Sequence, residues 1–122
     1  MDYVPNEIKL QKKSRQITIS FDDGSNFELP FEYLRVHSPS ADVQGHGPGQ
    51  EVLQKGKESV LITKIEPVGH YAVRLIFDDG HDSGLYTWEN LYGLGKDREP
   101  RWQAYLDRLQ AAGYARQPVA DD

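Results

Sequence analysis

The string Phe-Asp-Asp-Gly occurs twice, at Phe21–Gly24 and Phe77–Gly80, each time between an alternating apolar run and a short helical run. Two hairpin-plus-helix units would produce that grammar, and so would convergence of common turn chemistry. Before the first copy, Ile17, Ile19 and Phe21 alternate with Thr18 and Ser20, the period-two pattern of a half-buried strand. Asp22-Asp23-Gly24 with Ser25 and Asn26 is a turn signal, because Gly and Asn accept positive φ. Phe27–Leu29 returns as a strand, and Pro30 suits the start of a short helix over Phe31–Val36. The second copy follows the same order. Val73–Phe77 is a strand, Asp78-Asp79-Gly80 a turn and Ser83–Tyr86 a returning strand, with Thr87 placed to cap a helix beginning Trp88-Glu-Asn-Leu91. Neighbouring aspartates in a turn point in different directions, so Asp22/Asp23 and Asp78/Asp79 read as turn formers and not as a catalytic carboxylate pair.

The rest of the chain completes an α+β domain. Ile8–Leu10 precedes a turn carrying Lys12, Lys13 and Arg15, and Val60–Ile65 reads as another strand closed by Pro67 and Gly69. The last helix is marked by Pro100 near its start, by Trp102, Tyr105, Leu106, Leu109 and Ala112 on one face, and by Gly113 as a stop. The expected fold is a mostly antiparallel sheet built of two hairpin-plus-short-helix units, with this longer C-terminal helix packed on it. One domain is expected over residues 1–115, followed by a flexible tail over 116–122.

Composition then removes whole classes of function. At 122 residues the chain suits one domain with one core. It contains no cysteine, so disulfides, a thiol nucleophile and thiolate-held zinc or iron–sulfur clusters are excluded. A net charge of −5 argues against general nucleic-acid binding, whose affinity comes from neutralising phosphates. The basic group Lys9, Lys12, Lys13 and Arg15 reads as a solvated turn. No apolar run reaches the ~18 residues of a membrane helix, and Met1–Pro5 lacks the basic and apolar regions of a secretory signal. Cytoplasm is the expected location, with no membrane partner.

Residues 37–59 stand apart. Pro39, Gly45, Gly47, Pro48, Gly49 and Gly56 leave this stretch with little periodicity. Unstructured connections beyond ~12–15 residues are uncommon in compact domains and tend to be functional. Gly45–Gly49 lacks the Lys-Ser/Thr of a phosphate-binding loop, and Gly93-Leu-Gly95-Lys96 is shorter still. Both read as loop punctuation.

Leu34-Arg35, Ser38-Pro39-Ser40-Ala41-Asp42-Val43 and Asp79-Gly80-His81-Asp82-Ser83 running into Trp88 carry a resemblance over nearly the whole chain. The sequence resembles the γ-butyrobetaine-hydroxylase-like N-terminal domain family. In carnitine-pathway oxygenases such a domain precedes the catalytic jelly roll and holds a structural zinc with three loop cysteines and a histidine. Short bacterial proteins consist of this domain alone, and some iron–sulfur carrier ATPases carry a similar one. Transferred here, the cysteine positions are Ser38, Ser40 and Val43, and only His81 matches. Serine hydroxyls are poor zinc ligands, so the inherited metal site and any cofactor are expected to be absent. None of the histidines begins the His-x-Asp/Glu step of an oxygenase iron site.

Candidate binding residues are Arg35, His37, His46, His81, Asp82, Tyr86 and Trp88. His37, His46 and His81, with Asp79 or Asp82, would make a different metal site if they converged. Tyr86 and Tyr92 beside Arg35 suit a partly exposed interaction surface, whereas Trp88 is placed by its repeat position in the core. With no nucleophile elbow and no catalytic constellation, the expectation is a non-catalytic accessory module. The resemblance implies a protein partner, an iron–sulfur carrier or an iron-dependent oxygenase, met through the 37–50 loop and the His81–Tyr92 segment. The alternative is a metal- or small-ligand sensor using the same loop and His81, and a third reading is a subunit completing an enzyme in trans. A homodimer is the default association for a bacterial domain.

Overall fold

The computed structural model describes residues 3–45, 47 and 49–117. Along them run β1 (Pro5–Gln11), β2 (Gln16–Phe21), β3 (Asn26–Pro30), α1 (Phe31–Val36), α2 (Ala41–Gln44), β4 (Ile62–Val68), β5 (Ala72–Phe77), β6 (Leu85–Thr87), α3 (Trp88–Lys96) and α4 (Arg98–Ala111). The α+β class stands. The strands form two three-stranded antiparallel sheets, β1-β2-β3 and β4-β5-β6, where the sequence suggested one. Alternation fixes which face of a strand is buried but says nothing about which edges pair. Each unit therefore closes as its own meander.

The duplication extends to the backbone hydrogen bonds. Asp22 N–H donates to Val4 O and Asp78 N–H to Leu61 O, both at 2.9 Å. Phe21 N–H reaches Ser25 O at 2.9 Å, and Phe77 N–H reaches His81 O at 3.0 Å. The first helical residue of each unit is also tied back, Phe31 N–H to Arg15 O at 2.9 Å and Trp88 N–H to Tyr71 O at 3.0 Å. Gly24 and Gly80 both sit at φ 89, a left-handed conformation that favours glycine. Thr87 Oγ1 accepts from Asn90 N–H at 3.0 Å and caps α3 as the sequence implied.

Both sheets face one core. Ile17, Ile19, Phe21 and Leu29 from the first meet Ile62, Val73, Leu75, Phe77 and Tyr86 from the second, with Leu34 of α1 and Leu91 and Leu94 of α3. Each fully buried Leu or Ile contributes roughly 1.5–3 kcal/mol. Tyrosine hydroxyls bolt the elements together: Tyr33 donates to Leu94 O and Tyr86 to Leu34 O, both at 2.6 Å, and Tyr105 to Gln54 O at 2.7 Å. Burial pushes the Tyr33 hydroxyl up to about 12 and Tyr86 higher still.

The C-terminal helix begins at Arg98, before the residue expected, because a proline in the first turn sacrifices no helical hydrogen bond. Its buried Tyr105 and Leu109 gather with Val36 of α1, alongside Leu53 and Tyr114. Arg116 and Gln117, assigned from sequence to a flexible tail, are bonded to Glu32 and Glu58. Among the described residues, no helix is long and apolar enough to cross a membrane.

Candidate functional site

Helix α1 ends at Val36, and the chain then turns beneath the second Asp-Asp-Gly turn. His37 N–H bonds to Tyr33 O at 3.2 Å and Ser38 N–H to Arg35 O at 3.3 Å, which closes the helix. Ser40 then caps α2, accepting from Asp42 N–H at 3.3 Å. No helix forms farther along the loop, over residues 51–55.

Side chains sew the loop to the turn between β5 and β6. Ser38 Oγ lies 2.8 Å from His81 Nε2, and Ser40 Oγ lies 2.7 Å from Ser83 Oγ. Gln44 Nε2 donates to Ser38 O at 2.8 Å. The approach is close enough that a Cβ at Gly84 would stand 2.4 Å from Ser38 Oγ. Glycine is needed here for space.

A charged cluster flanks this joint. Asp79 Oδ2 accepts from Arg35 Nε at 2.9 Å and from Lys57 Nζ at 2.7 Å, while Oδ1 accepts from His81 N–H at 3.1 Å. Burial pushes the Asp79 carboxyl up, but hydrogen bonds from Lys57, the His81 amide and Arg35 outweigh it and hold the group at about 2. The Arg35 guanidinium also sits 5.9 Å from the centre of the Phe77 ring. Burial, reinforced by the Arg35 charge, lowers the pKa of His81 and keeps its imidazole neutral at pH 7.

A serine hydrogen-bonded to a neutral imidazole is the start of a nucleophile–base pair. Two observations stop it there. Ser38 is 0% exposed, so no substrate carbonyl reaches its hydroxyl. The oxygens of Asp79 are bonded to Arg35, Lys57 and the His81 backbone amide, so this carboxylate does not orient the ring. The pair is a structural joint.

The remaining sequence candidates divide. Arg35 and His81 meet at this joint, and Asp82 is exposed beside it. Tyr86 corrects the expectation of partial exposure: it is 0% exposed, because its ring fills the core and its hydroxyl holds α1. His37 lies apart, packed against Tyr33 and Tyr105. Its Nδ1 is 2.9 Å from Tyr33 O and must donate, since a carbonyl only accepts. Trp88 is partly buried against the core and donates from Nε1 to His70 O at 2.8 Å. His46 lies outside the described residues. Among the described residues, no group of three or more His, Cys, Asp or Glu side chains is placed to hold a metal.

The γ-butyrobetaine-hydroxylase-like N-terminal family model matches residues 8–92. The chain belongs to that family. Two proteins solved by NMR in solution resemble it over nearly their whole length. One is 50% identical, with a TM-score of 0.82, over 99% of this chain and 90% of its own; the other is 47% identical, with a TM-score of 0.81, over 97% and 93%. The crystal structure of a protein of unknown function from Acidithiobacillus ferrooxidans ATCC 23270, of the DUF971 family, is 41% identical over 75% of this chain and 91% of its own, with a TM-score of 0.63. No curated protein matches the chain.

The zinc implied by the wider family does not fit this member. Its donor positions hold two hydroxyls and the alkyl side chain of Val43, and Ser38 is already bonded to the one histidine. Zinc takes sulfur, imidazole nitrogen or carboxylate oxygen.

Sequence reasoning missed Lys57, Ser83 and Gly84, and gave Asp79 no ion pair. The repeat offered no signal for them, because Asp23 in the first unit bonds Tyr92 at 2.5 Å and, among the described residues, pairs with no cation. It also missed a groove of about 700 Å³ lined by Tyr3, Val4, His70, Tyr71, Trp88 and Glu89, to which the described residues of the 37–50 loop do not contribute.

Proposed function

We propose that this domain is a non-catalytic recognition module whose binding surface is the 37–50 loop together with the Asp79–Ser83 turn. One observation carries the reading. The groups with reactive potential, Ser38 and His81, are buried against each other, while Asp42, Asp82 and Ser83 remain exposed at the same joint. An irregular loop fixed to a rigid sheet by buried hydrogen bonds is preorganised, which lowers the ordering cost of binding. The resemblance read from the sequence implies a partner among iron–sulfur carriers or iron-dependent oxygenases, for which a cysteine-free chain would act as an accessory and supply no cluster ligand. The acidic rim suits a partner with a basic contact surface.

The test is capture by the tagged domain, compared with an Asp42→Arg/Asp82→Arg double variant of unchanged melting temperature. A cluster carrier or oxygenase retained by the wild type and lost by the variant supports the reading. Equal retention by both, or retention by neither, removes this surface as the recognition site.

A further inference from the structure

The segment that follows α4 folds back over two buried carboxylates. Glu32 on α1 is 8% exposed and Glu58 is 7% exposed. Tyr114 Oη donates to Glu58 Oε2 at 2.8 Å, and Gln117 N–H reaches the same oxygen at 2.6 Å. Arg116 binds Glu32 with a two-pronged grip, Nε to Oε2 at 2.9 Å and Nη2 to Oε1. The guanidinium carbon of Arg116 also lies 5.2 Å from the centre of the Trp102 ring. A cavity of about 230 Å³ opens here between Pro30, Tyr33, Arg98 and Trp102.

This constellation reads one side chain. A carboxylate presenting both oxygens to a planar fork selects guanidinium over ammonium. An indole beside it adds a cation–π contact that favours the same ion. The division of burial shows which part is fixed: the Glu32 side chain is 10% exposed and that of Arg116 is 34% exposed. Glu32 belongs to a buried helix, whereas Arg116 rides on an irregular segment with exposed neighbours.

We propose that Glu32 and Trp102 form an arginine-recognition slot, filled in this chain by its own Arg116, which accepts the arginine side chain of a partner peptide when the 114–117 strap lifts. Arg116 is the intramolecular occupant, and the strap sets the threshold a competing arginine must overcome. None of these residues belongs to the 37–50 loop or the Asp79–Ser83 turn, so the slot stands or falls apart from that surface.

Arg116→Ala empties the slot while leaving its walls. N-acetyl-arginine amide and N-acetyl-lysine amide are titrated into wild type and variant, followed by the Trp102 indole N–H resonance and by melting temperature. In the variant, the arginine compound is expected to shift the Trp102 resonance saturably and to recover part of the lost melting temperature, with no response to the lysine compound. Wild type should bind the arginine compound about 10-fold more weakly or less, because its slot is already filled. Adding Glu32→Gln to the variant should abolish the response. If Arg116→Ala fails to fold, Arg116→Lys keeps the charge without the fork and serves the same titration. An unmoved Trp102 resonance in the folded variant, an equal response to lysine, or equal affinity in wild type and variant would overturn the proposal.

Discussion

Ser38 Oγ and His81 Nε2 lie 2.8 Å apart, joining the loop after the first helix to the second Asp-Asp-Gly turn. Both residues are buried, so neither group can exchange this bond for one to water. Removing one partner therefore costs more than the bond itself contributes.

Ser38→Ala leaves the His81 ring nitrogen without its hydroxyl partner. The expected loss is about 1–3 kcal/mol, read as a lower urea midpoint with unchanged slope. A variant as stable as wild type would show that the joint is incidental.

Gly84→Ala places a methyl group against the same hydroxyl, at 2.4 Å before relaxation. Overpacking of this kind costs about 1–3 kcal/mol. Because Ser38 Oγ is the group struck, the Ser38→Ala/Gly84→Ala double variant should lose less than the sum of the single losses. Strict additivity in a double-mutant cycle would place the clash elsewhere.

Asp79→Asn keeps an acceptor for the His81 amide but strands Arg35 and Lys57 as uncompensated cations. The loss expected is about 1–3 kcal/mol, below that of a fully buried pair because Asp79 retains some contact with solvent. Asp23→Asn, at the equivalent position of the first unit, faces a tyrosine hydroxyl and, among the described residues, no cation, and should cost less. Equal losses in urea denaturation would mean that the turn, and not the charge, governs both.

Acid should weaken the fold in a defined window. His37 and His81 both titrate below the ordinary histidine value, each chiefly through burial, so the unfolded chain binds more protons as pH falls. Their contribution is complete above about pH 6.5, the unfolded histidine value, and is lost as pH falls through the lowered folded values. The urea midpoint should drop between pH 7.5 and pH 5, and a His37→Gln/His81→Asn variant should show a flatter profile. An unchanged slope in that variant would assign the dependence to other groups. Asp79, held at about 2, adds its own loss only below about pH 4, near the unfolded carboxylate value.

Much of the local structure was legible from residues. Helix α1 begins after Pro30 and covers Phe31–Val36 as read, because proline fixes φ at the boundary and the turn chemistry before it is strong. The twin turns were visible because Asp, Asp and Gly have few alternative uses in that order. What escaped was long-range. The separation into two sheets depends on edge pairing, which side-chain alternation does not encode. Tyr86 looked amphipathic on paper, yet its hydroxyl found the Leu34 carbonyl and its ring could be buried whole. Lys57 met Asp79 only through the path of an irregular loop, and Arg116 met Glu32 across 84 positions of sequence. No periodicity marks such pairs.

The joint between Ser38 and His81 also changes what the domain asks of its surroundings. A loop fastened by thiolate and zinc loosens when the ion is withdrawn or the sulfur is oxidised. A loop fastened by a hydroxyl and an imidazole has neither vulnerability. The closure of this loop therefore calls for neither a supply of metal nor a reducing environment.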